Sequence, residues 1–418
     1  MASLTRLVPA ITLMILIHGG FLWDSVDVRA EVSKYSNLGT TSVKLNENLV
    51  LAKSESESDS KKSVTDKIWR SQELSLLAIG LGVGDVDGDG KNEIIVAGPS
   101  TIYLYRFSDN NMNLLTEYSS GNLEIKAIDV AKLSKNGPAR IYVTAQNRGS
   151  VASFVLEYKK GNLIPVIEGV DYFLRVINYP THGPILLGQR KGLSKMYDGP
   201  IYRMEDRGTS LEATDRFGVP LKIPIFGFTI GDFEGKRNPL IAVYDKEDHL
   251  RIYDPTGKRL YVSKNYYGGS DIILRWFGPE EQRDKNKDFA MDPIYVRPRL
   301  LWWSSTPGGA AQILSIAHSS TTMRMLSRTK MLDEGRIKGL VWNGDSLEER
   351  WSTPKAQGMA VDFAIDYLSG MSGERLIVLE RKKTDWLAFL LSRSQIKIYD
   401  LQQLVTEGGK GGGKESDD

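Results

Sequence analysis

The chain has 418 residues, with 54 Lys and Arg against 52 Asp and Glu, a net charge of +2, and 41% hydrophobic residues. This near-neutral balance argues against a nucleic-acid binder that works through bulk charge, which carries a clustered basic excess. With no Cys in the sequence, disulfides, thiolate zinc sites, iron–sulfur clusters and thiol catalysis are all excluded. The four His (His18, His182, His249 and His318) are scattered, which disfavours a multi-histidine zinc site.

The first element in chain order is an export signal. A basic start ending at Arg6 precedes an apolar run from Leu7 to Trp23, and Val28-Arg29-Ala30 offers compact residues at a cleavage site. This order predicts a signal peptide over 1–30, cut after Ala30, with an uncleaved anchor as the alternative. Arg6, Arg29, Asp24 and Asp27 would leave with it, so the mature charge is unchanged. No later stretch approaches the roughly 18 consecutive apolar residues of a membrane span, so the mature chain is expected to have no transmembrane segment.

Residues 31–66 are polar and aperiodic. Their Ser/charge tract from Lys53 to Lys62 cannot bury a core, and disorder is expected there. At the other end, 405–418 reads as a flexible Gly/Lys tail. Its Gly run lacks the GxxxxGK[ST] spacing of a phosphate loop. The folded unit is therefore expected over 67–404.

Within that unit the pattern is period 2 in short runs. Ile94-Ile95-Val96, Ile102 to Tyr105, Ile141-Tyr142-Val143, Leu240 to Tyr244, Ile313 to Ile316 and Leu376 to Leu379 all read as strands. Turn residues separate such runs at about 8–12 positions, the signature of an all-β protein. No long amphipathic helix is expected.

The strands repeat. Gly84-Asp85, a turn, Ile94-Ile95-Val96 and Ile102 to Arg106 align with Gly231-Asp232, a turn, Leu240 to Val243 and Leu250 to Asp254. Trp69 and Trp351 precede Asp85 and Asp366 at similar distances, and weaker copies surround Asp129, Asn178 and Ser304. Six markers (85, 129, 178, 232, 304 and 366) imply a β-propeller of six four-stranded blades, with seven as the alternative. The wider later spacings call for loops, with Glu280 to Asp288 as one. Because an unpaired edge is a liability, the last blade is expected to close on a strand near Lys67–Gln72.

The sharpest chemistry is one loop. Asp85, Asp87, Asp89 and Glu93 supply carboxylates at positions 1, 3, 5 and 9, Gly90 stands at position 6, and the Lys91 carbonyl fills position 7. Ca²⁺ takes six to eight hard oxygens at about 2.3–2.6 Å, and this spacing wraps oxygens round a point. Four carboxylates in nine residues would repel one another without a cation. The loop is not an EF-hand, because strands flank it and Val96 stands at position 12. A Gly-Asp turn that needs no ion is the alternative.

Leu81-Gly82, the Asp85 to Glu93 loop and Ile94 to Pro99 resemble the FG-GAP, or VCBS-type, repeat of integrin-α-like propellers and many bacterial exported proteins. The resemblance implies one Ca²⁺ held by Asp85, Asp87, Asp89, the Lys91 carbonyl and Glu93, with Glu93 replacing a more usual Asp. It also implies a bacterial source and a periplasmic or secreted location. The other repeats have lost the ligands: Glu234, Lys236 and Leu240 in one, Thr306, Gly308 and Gln312 in another, and Leu368 and Gly370 in a third. Calcium is expected at one blade only.

Other features read as structural. Trp276, Trp302, Trp303, Trp342 and Trp386 are expected in the core between blades rather than stacking a glycan. Asp129, Asp232 and Asp366 are read as turn residues of the repeat, not glycosidase carboxylates. Arg381-Lys382-Lys383 and Lys159-Lys160 are read as solvated runs between strands. The function expected is a non-enzymatic, monomeric propeller that binds a protein or glycan and no nucleic acid. The alternative is a hydrolase or quinone-dependent dehydrogenase with its site in the central channel, which converging carboxylates and cations there would favour.

Overall fold

The computed structural model describes residues 68–134, 137–192, 196–197, 199–220, 222–275, 293–306, 308–319, 332–382 and 392–408. The expected signal (1–30), the polar segment (31–66), the 280–288 loop, Trp276, Trp386 and the end of the tail (409–418) lie outside these residues.

Six antiparallel sheets follow one another along the chain as the blades of a β-propeller. Blade 1 is β2 (Gly80–Gly84), β3 (Glu93–Ala97), β4 (Thr101–Ser108) and β5 (Asn111–Ser119). Blade 2 is β6 (Glu124–Ala131), β7 (Arg140–Asn147), β9 (Ser153–Lys159) and β10 (Asn162–Val170), with the short β8 (Ser150–Val151) paired to β7. Blade 3 comprises β11 (Tyr172–Tyr179), β12 (Gly183–Arg190), β13 (Ile201–Asp206) and β14 (Leu211–Arg216). Blade 4 comprises β15 (Phe228–Gly231), β16 (Leu240–Tyr244), β17 (His249–Tyr253) and β18 (Arg259–Tyr266).

A two-stranded insert, β19 (Ile273–Leu274) with β20 (Ile294–Tyr295), separates blade 4 from blade 5 and accounts for the widest marker spacing. Blade 5 is β21 (Leu300–Trp303), β22 (Gln312–Ser319), β23 (Asp333–Trp342) and β24 (Leu347–Ser352). Blade 6 is β25 (Gly358–Asp366), β26 (Arg375–Lys382) and β27 (Ser394–Asp400), completed by β1 (Trp69–Arg70) from the N-terminal end. Trp69 pairs with Ile398 and Arg70 with Lys397, which is the closure expected from the sequence. Pairing the two chain ends in one sheet hides the edge of β27.

Period-2 alternation builds the ring. Ile95 and Ala97 pack with Ile128 and Ile141 of blade 2, while Ile94 and Val96 pack with Ile377 and Ile396 of blade 6. Each following junction has its own cluster, such as Tyr142 with Leu186, Leu187 with Ile241, Leu240 with Ile313, and Leu314 with Phe363. Every blade thus buries both faces, and the ring closes. Small residues let neighbouring blades approach: a Cβ on Gly82 would lie 2.4 Å from Val130, and one on Gly335 of β23 would lie 2.2 Å from the Ala360 backbone nitrogen.

Among the described residues, one helix departs from the all-β expectation. The helix α1 (Leu401–Gly408) follows β27 directly and runs through the boundary expected at residue 404. Leu401 and Leu404 are buried against Trp351 and Tyr399.

Candidate functional site

The Asp85 to Glu93 loop is the hairpin turn from β2 to β3. Its conformation comes from side chains folding back on their own backbone, with Gly88 and Gly90 supplying the positive φ values of 81° and 85°. Gly88 N donates to Asp85 Oδ1 at 2.7 Å and Gly90 N to Asp85 Oδ2 at 3.1 Å. Asp89 N donates to Asp87 Oδ1 at 3.0 Å and Lys91 N to Asp89 Oδ1 at 2.8 Å.

The result gathers carboxylate oxygens of Asp85, Asp87 and Asp89 within 4.8 Å of one another. A hard divalent cation with ligands at about 2.3–2.6 Å fits such a set. Lys91 is exposed, with no side-chain ion pair to the three aspartates among the described residues. Glu93 lies beneath the loop rather than among the three aspartates. It is fully buried, and its Oε2 accepts Val86 N at 3.2 Å. Burial, with the Asp87 charge second, pushes the Glu93 carboxyl up to about 7.

Arg106 is the residue the sequence reading missed. It pairs with Glu93 across β3 and β4, and its Nη2 contacts Asp87 Oδ2, lies 3.7 Å from Asp89 and 3.4 Å from Glu93. Its Nε is buried with no hydrogen-bond partner among the described residues. The guanidinium therefore answers part of the carboxylate repulsion while being incompletely satisfied itself. The signal was present in the sequence: Arg106 lies in the strand run that follows the loop, at the position that aligns with Asp254 in blade 4.

The closing pairs of the inner hairpins show which positions correspond between blades. Gly84 pairs with Glu93, Ala131 with Arg140, Gly231 with Leu240, Trp303 with Gln312 and Asp366 with Arg375, the same span in each case. Asp232 and Ser304 thus correspond to Asp85, as the sequence suggested. Asp366 and Asp129 do not, and their readings as turn residues need correction. Asp366 is the last residue of β25, and Asp129 lies inside β6. Asp232 does shape its turn, accepting Lys236 N and Arg237 N.

Asp129 faces the centre of the ring. Arg299, just before β21, donates Nη1 to Asp129 at 2.5 Å and Nε to Asp362 of β25 at 2.9 Å. Its Nη2 reaches the carbonyls of Leu81 and Ile128. Asp129 lies 3.4 Å from Arg175 and accepts Val176 N, and Asp362 accepts Leu81 N at 3.0 Å. Two Arg and two Asp thus join blades 1, 2, 3 and 6 to the start of blade 5, all four being buried or nearly so.

Burial lowers the pKa of both guanidiniums. At Arg299 the Asp362 and Asp129 charges outweigh burial and hold it above its ordinary value, whereas Arg175 stays below. Carboxylates and cations do converge here, the arrangement set out above as favouring channel chemistry. They neutralise one another, however, and the adjoining cavity of about 10 Å³ has room for about one water.

The described tryptophans that were expected in the core are engaged within the fold. Trp303, Trp342 and Trp351 are buried, and Trp302 donates Nε1 to the Asn178 carbonyl at 2.8 Å. His182 is exposed, while buried His318 lies between the carbonyls of Gly268 and Ala360. The basic runs are not loops: Lys159 ends β9, and Arg381 and Lys382 end β26. Arg381 is nearly buried in an ion pair with Asp271 at 2.6 Å.

No family model matches this chain, and no curated protein sequence does. Among solved structures, that of BBS1N in complex with ARL6DN, soaked with lead, is 10% identical over 80% of this chain and 97% of that chain, with a TM-score of 0.42. Saccharomyces cerevisiae Sqt1 is 10% identical over 77% of this chain and 96% of its own, at 0.38. A chain of the Mitotic Checkpoint Complex is 10% identical over 84% and 100%, at 0.39. Similarity this low carries no functional argument, and the blade count rests on the sheets of this chain.

Proposed function

We propose that this chain is an exported, calcium-binding propeller of the FG-GAP type that serves as a non-enzymatic scaffold for protein interaction. The mutual pairing of the central charges carries the reading. A propeller enzyme needs room for substrate at its reacting groups, and here the converging charges are spent on one another. Binding then falls to the rim and the loop faces, where rigid strands hold variable turns.

Calcium would be held by Asp85, Asp87 and Asp89, with Glu93 and the Lys91 carbonyl completing the set that the repeat resemblance implies. Its contribution would be rigidity within the β2–β3 turn, whose Asp85 carbonyl already accepts Ala139 N, next to blade 2, at 2.7 Å. Protein is favoured over glycan because the described tryptophans are occupied within the fold. Export rests on the apolar run from Leu7 to Trp23 and the compact residues ending at Ala30.

Cross-linking mass spectrometry on the tagged full chain in its native extract tests the scaffold reading. The expected result is a stoichiometric protein partner with cross-links confined to one face of the ring. A free monomer, together with turnover of small molecules in that extract that a heat-killed control lacks, would contradict it.

A further inference from the structure

The chain between blade 4 and β19 crosses the ring instead of turning straight into blade 5. Gly268 N donates to the Ile316 carbonyl of blade 5 at 2.6 Å, and the Gly268 carbonyl meets His318 Nδ1 at 2.9 Å. Asp271 then pairs with Arg381 of blade 6 at 2.6 Å. Ile272 packs both against the core shared by blades 1 and 2 and against that shared by blades 3 and 4, which sets it over the middle of the ring. The Ile273 carbonyl accepts Lys126 Nζ of blade 2 at 2.8 Å. Strand pairing shows which mouth this is. Arg381 pairs with Met359 and Gln146 with Glu124, so these contacts stand where the inner strands β25 and β6 begin. The Asp85 loop follows the last residue of the inner strand β2 and lies at the opposite mouth.

The hold on this segment is largely polar. Gln146 of β7 is fully buried, and its amide clasps both backbone groups of Arg275: Oε1 accepts Arg275 N and Nε2 donates to the Arg275 carbonyl, each at 2.9 Å. Arg275 Nη2 lies 3.2 Å from Glu124. The apolar share is small, with Leu274 buried, Ile272 half-buried and Ile273 exposed. The strands β19 and β20 have two residues each, and Val296 N, just past β20, donates to the Ile272 carbonyl at 2.8 Å. A segment with so few buried apolar side chains opens at a lower free energy than a four-stranded blade. Arg299 follows Val296 by three residues, so the returning chain runs straight into the central charges.

We propose that Gly268 to Arg275 is a strap that closes one mouth of the ring over the central charges and opens as a unit of its own while the six blades stay folded. The Gln146 amide is its catch. When the strap lifts, the clasped groups of Arg275 and the freed amide of Gln146 exchange their bonds for water, and no strand of a blade has to part from its neighbour.

Hydrogen exchange resolved to single amides in the full chain tests it. The amides of Arg275 and Val296 should exchange at least tenfold faster than the ladder amides of β6 and β7, at a rate that low urea leaves unchanged. Gln146→Ala removes the catch and should speed both by at least tenfold more, with the ladder amides of blades 4 and 5 unmoved. Asp271→Asn breaks the pair with Arg381 at an exposed position and should speed them several-fold, and it covers the case in which Gln146→Ala does not fold. Strap amides that exchange only together with the ladders overturn the proposal, because the segment would then open only with the blades. Wild-type strap rates in a folded variant overturn it as well.

Discussion

Arg299 donates to Asp129 at 2.5 Å, although 170 residues separate them in the chain. One guanidinium from the start of blade 5 also reaches Asp362 in blade 6 and the carbonyls of blades 1 and 2. Blades that are not neighbours in the ring are therefore tied to a common point. In a repeat fold, where stability is a sum of local terms, such a tie couples distant units.

At the loop of blade 1, Arg106 occupies the carboxylates that a bound Ca²⁺ would take, so the two would compete. Adding Ca²⁺ at 100 times its dissociation constant should stabilise the chain by about 2.7 kcal/mol, raising the thermal midpoint by a degree or more. Asp87→Ala should abolish the shift. Arg106→Gln removes a positive charge from the ligand set and should tighten calcium binding by on the order of tenfold in calorimetric titration. Equal affinities in wild type and Arg106→Gln would count against the ion sharing these oxygens.

Asp366 supplies a pH dependence. Burial, with Glu374 nearby, pushes its carboxyl up from 3.8 to about 6, against hydrogen bonds from Tyr367 N and Asn92. The folded chain therefore holds this proton more tightly than the unfolded one, so stability falls as pH rises from about 4 to 6 and stays lowered above that. Asp366→Asn keeps an acceptor for both donors. It should stabilise the chain by on the order of 1 kcal/mol at pH 7 and make no difference at pH 3.5, as read by urea unfolding. A stability gain that persists at the lower pH would argue against this origin.

Ring closure depends on Trp69, which packs edge to face on Phe107 at 5.1 Å and donates Nε1 to the Asn110 carbonyl at 2.9 Å. Trp69→Ala should cost about 2–4 kcal/mol, reduced from the full Trp value because the side chain is half-buried. Hydrogen exchange should then rise first in β27. Unchanged protection there would show that closure does not rest on this strand.

Gly335→Ala isolates the close packing of blades 5 and 6. The added methyl would meet the Ala360 backbone at 2.2 Å, and backbone cannot turn aside as a side chain can. A loss of more than 1 kcal/mol is expected, against less than 0.5 kcal/mol for a change at an exposed position such as Lys264→Ala. Equal effects would mean that the two blades can shift apart without cost.

Much of this architecture was legible because continuous apolar runs such as Ile94 to Val96 and Leu376 to Leu379 must bury both faces, and the repeat of such runs sets the blade count. Closure by Trp69 followed from the need to hide an edge. The register was harder to read. Asp129 and Asp366 looked like Asp85 because a lone aspartate near a strand end gives no sign of which side of the turn it occupies, and pairing partners decide that. The central cluster was invisible for a related reason: Arg299, Asp129 and Asp362 belong to different blades, and only closing the ring brings them together. Arg106 was within reach, since cross-strand pairing with Glu93 follows once the hairpin register is known.

The central claim is that the charges at the middle of the ring hold blades together. Equilibrium urea unfolding of Arg299→Met at pH 7 tests it most directly. Removing one partner leaves Asp129 and Asp362 buried without their shared cation, and a loss of about 3–5 kcal/mol is predicted. Wild-type stability in that variant would contradict the account, because the converging charges would then be held for a purpose other than structure.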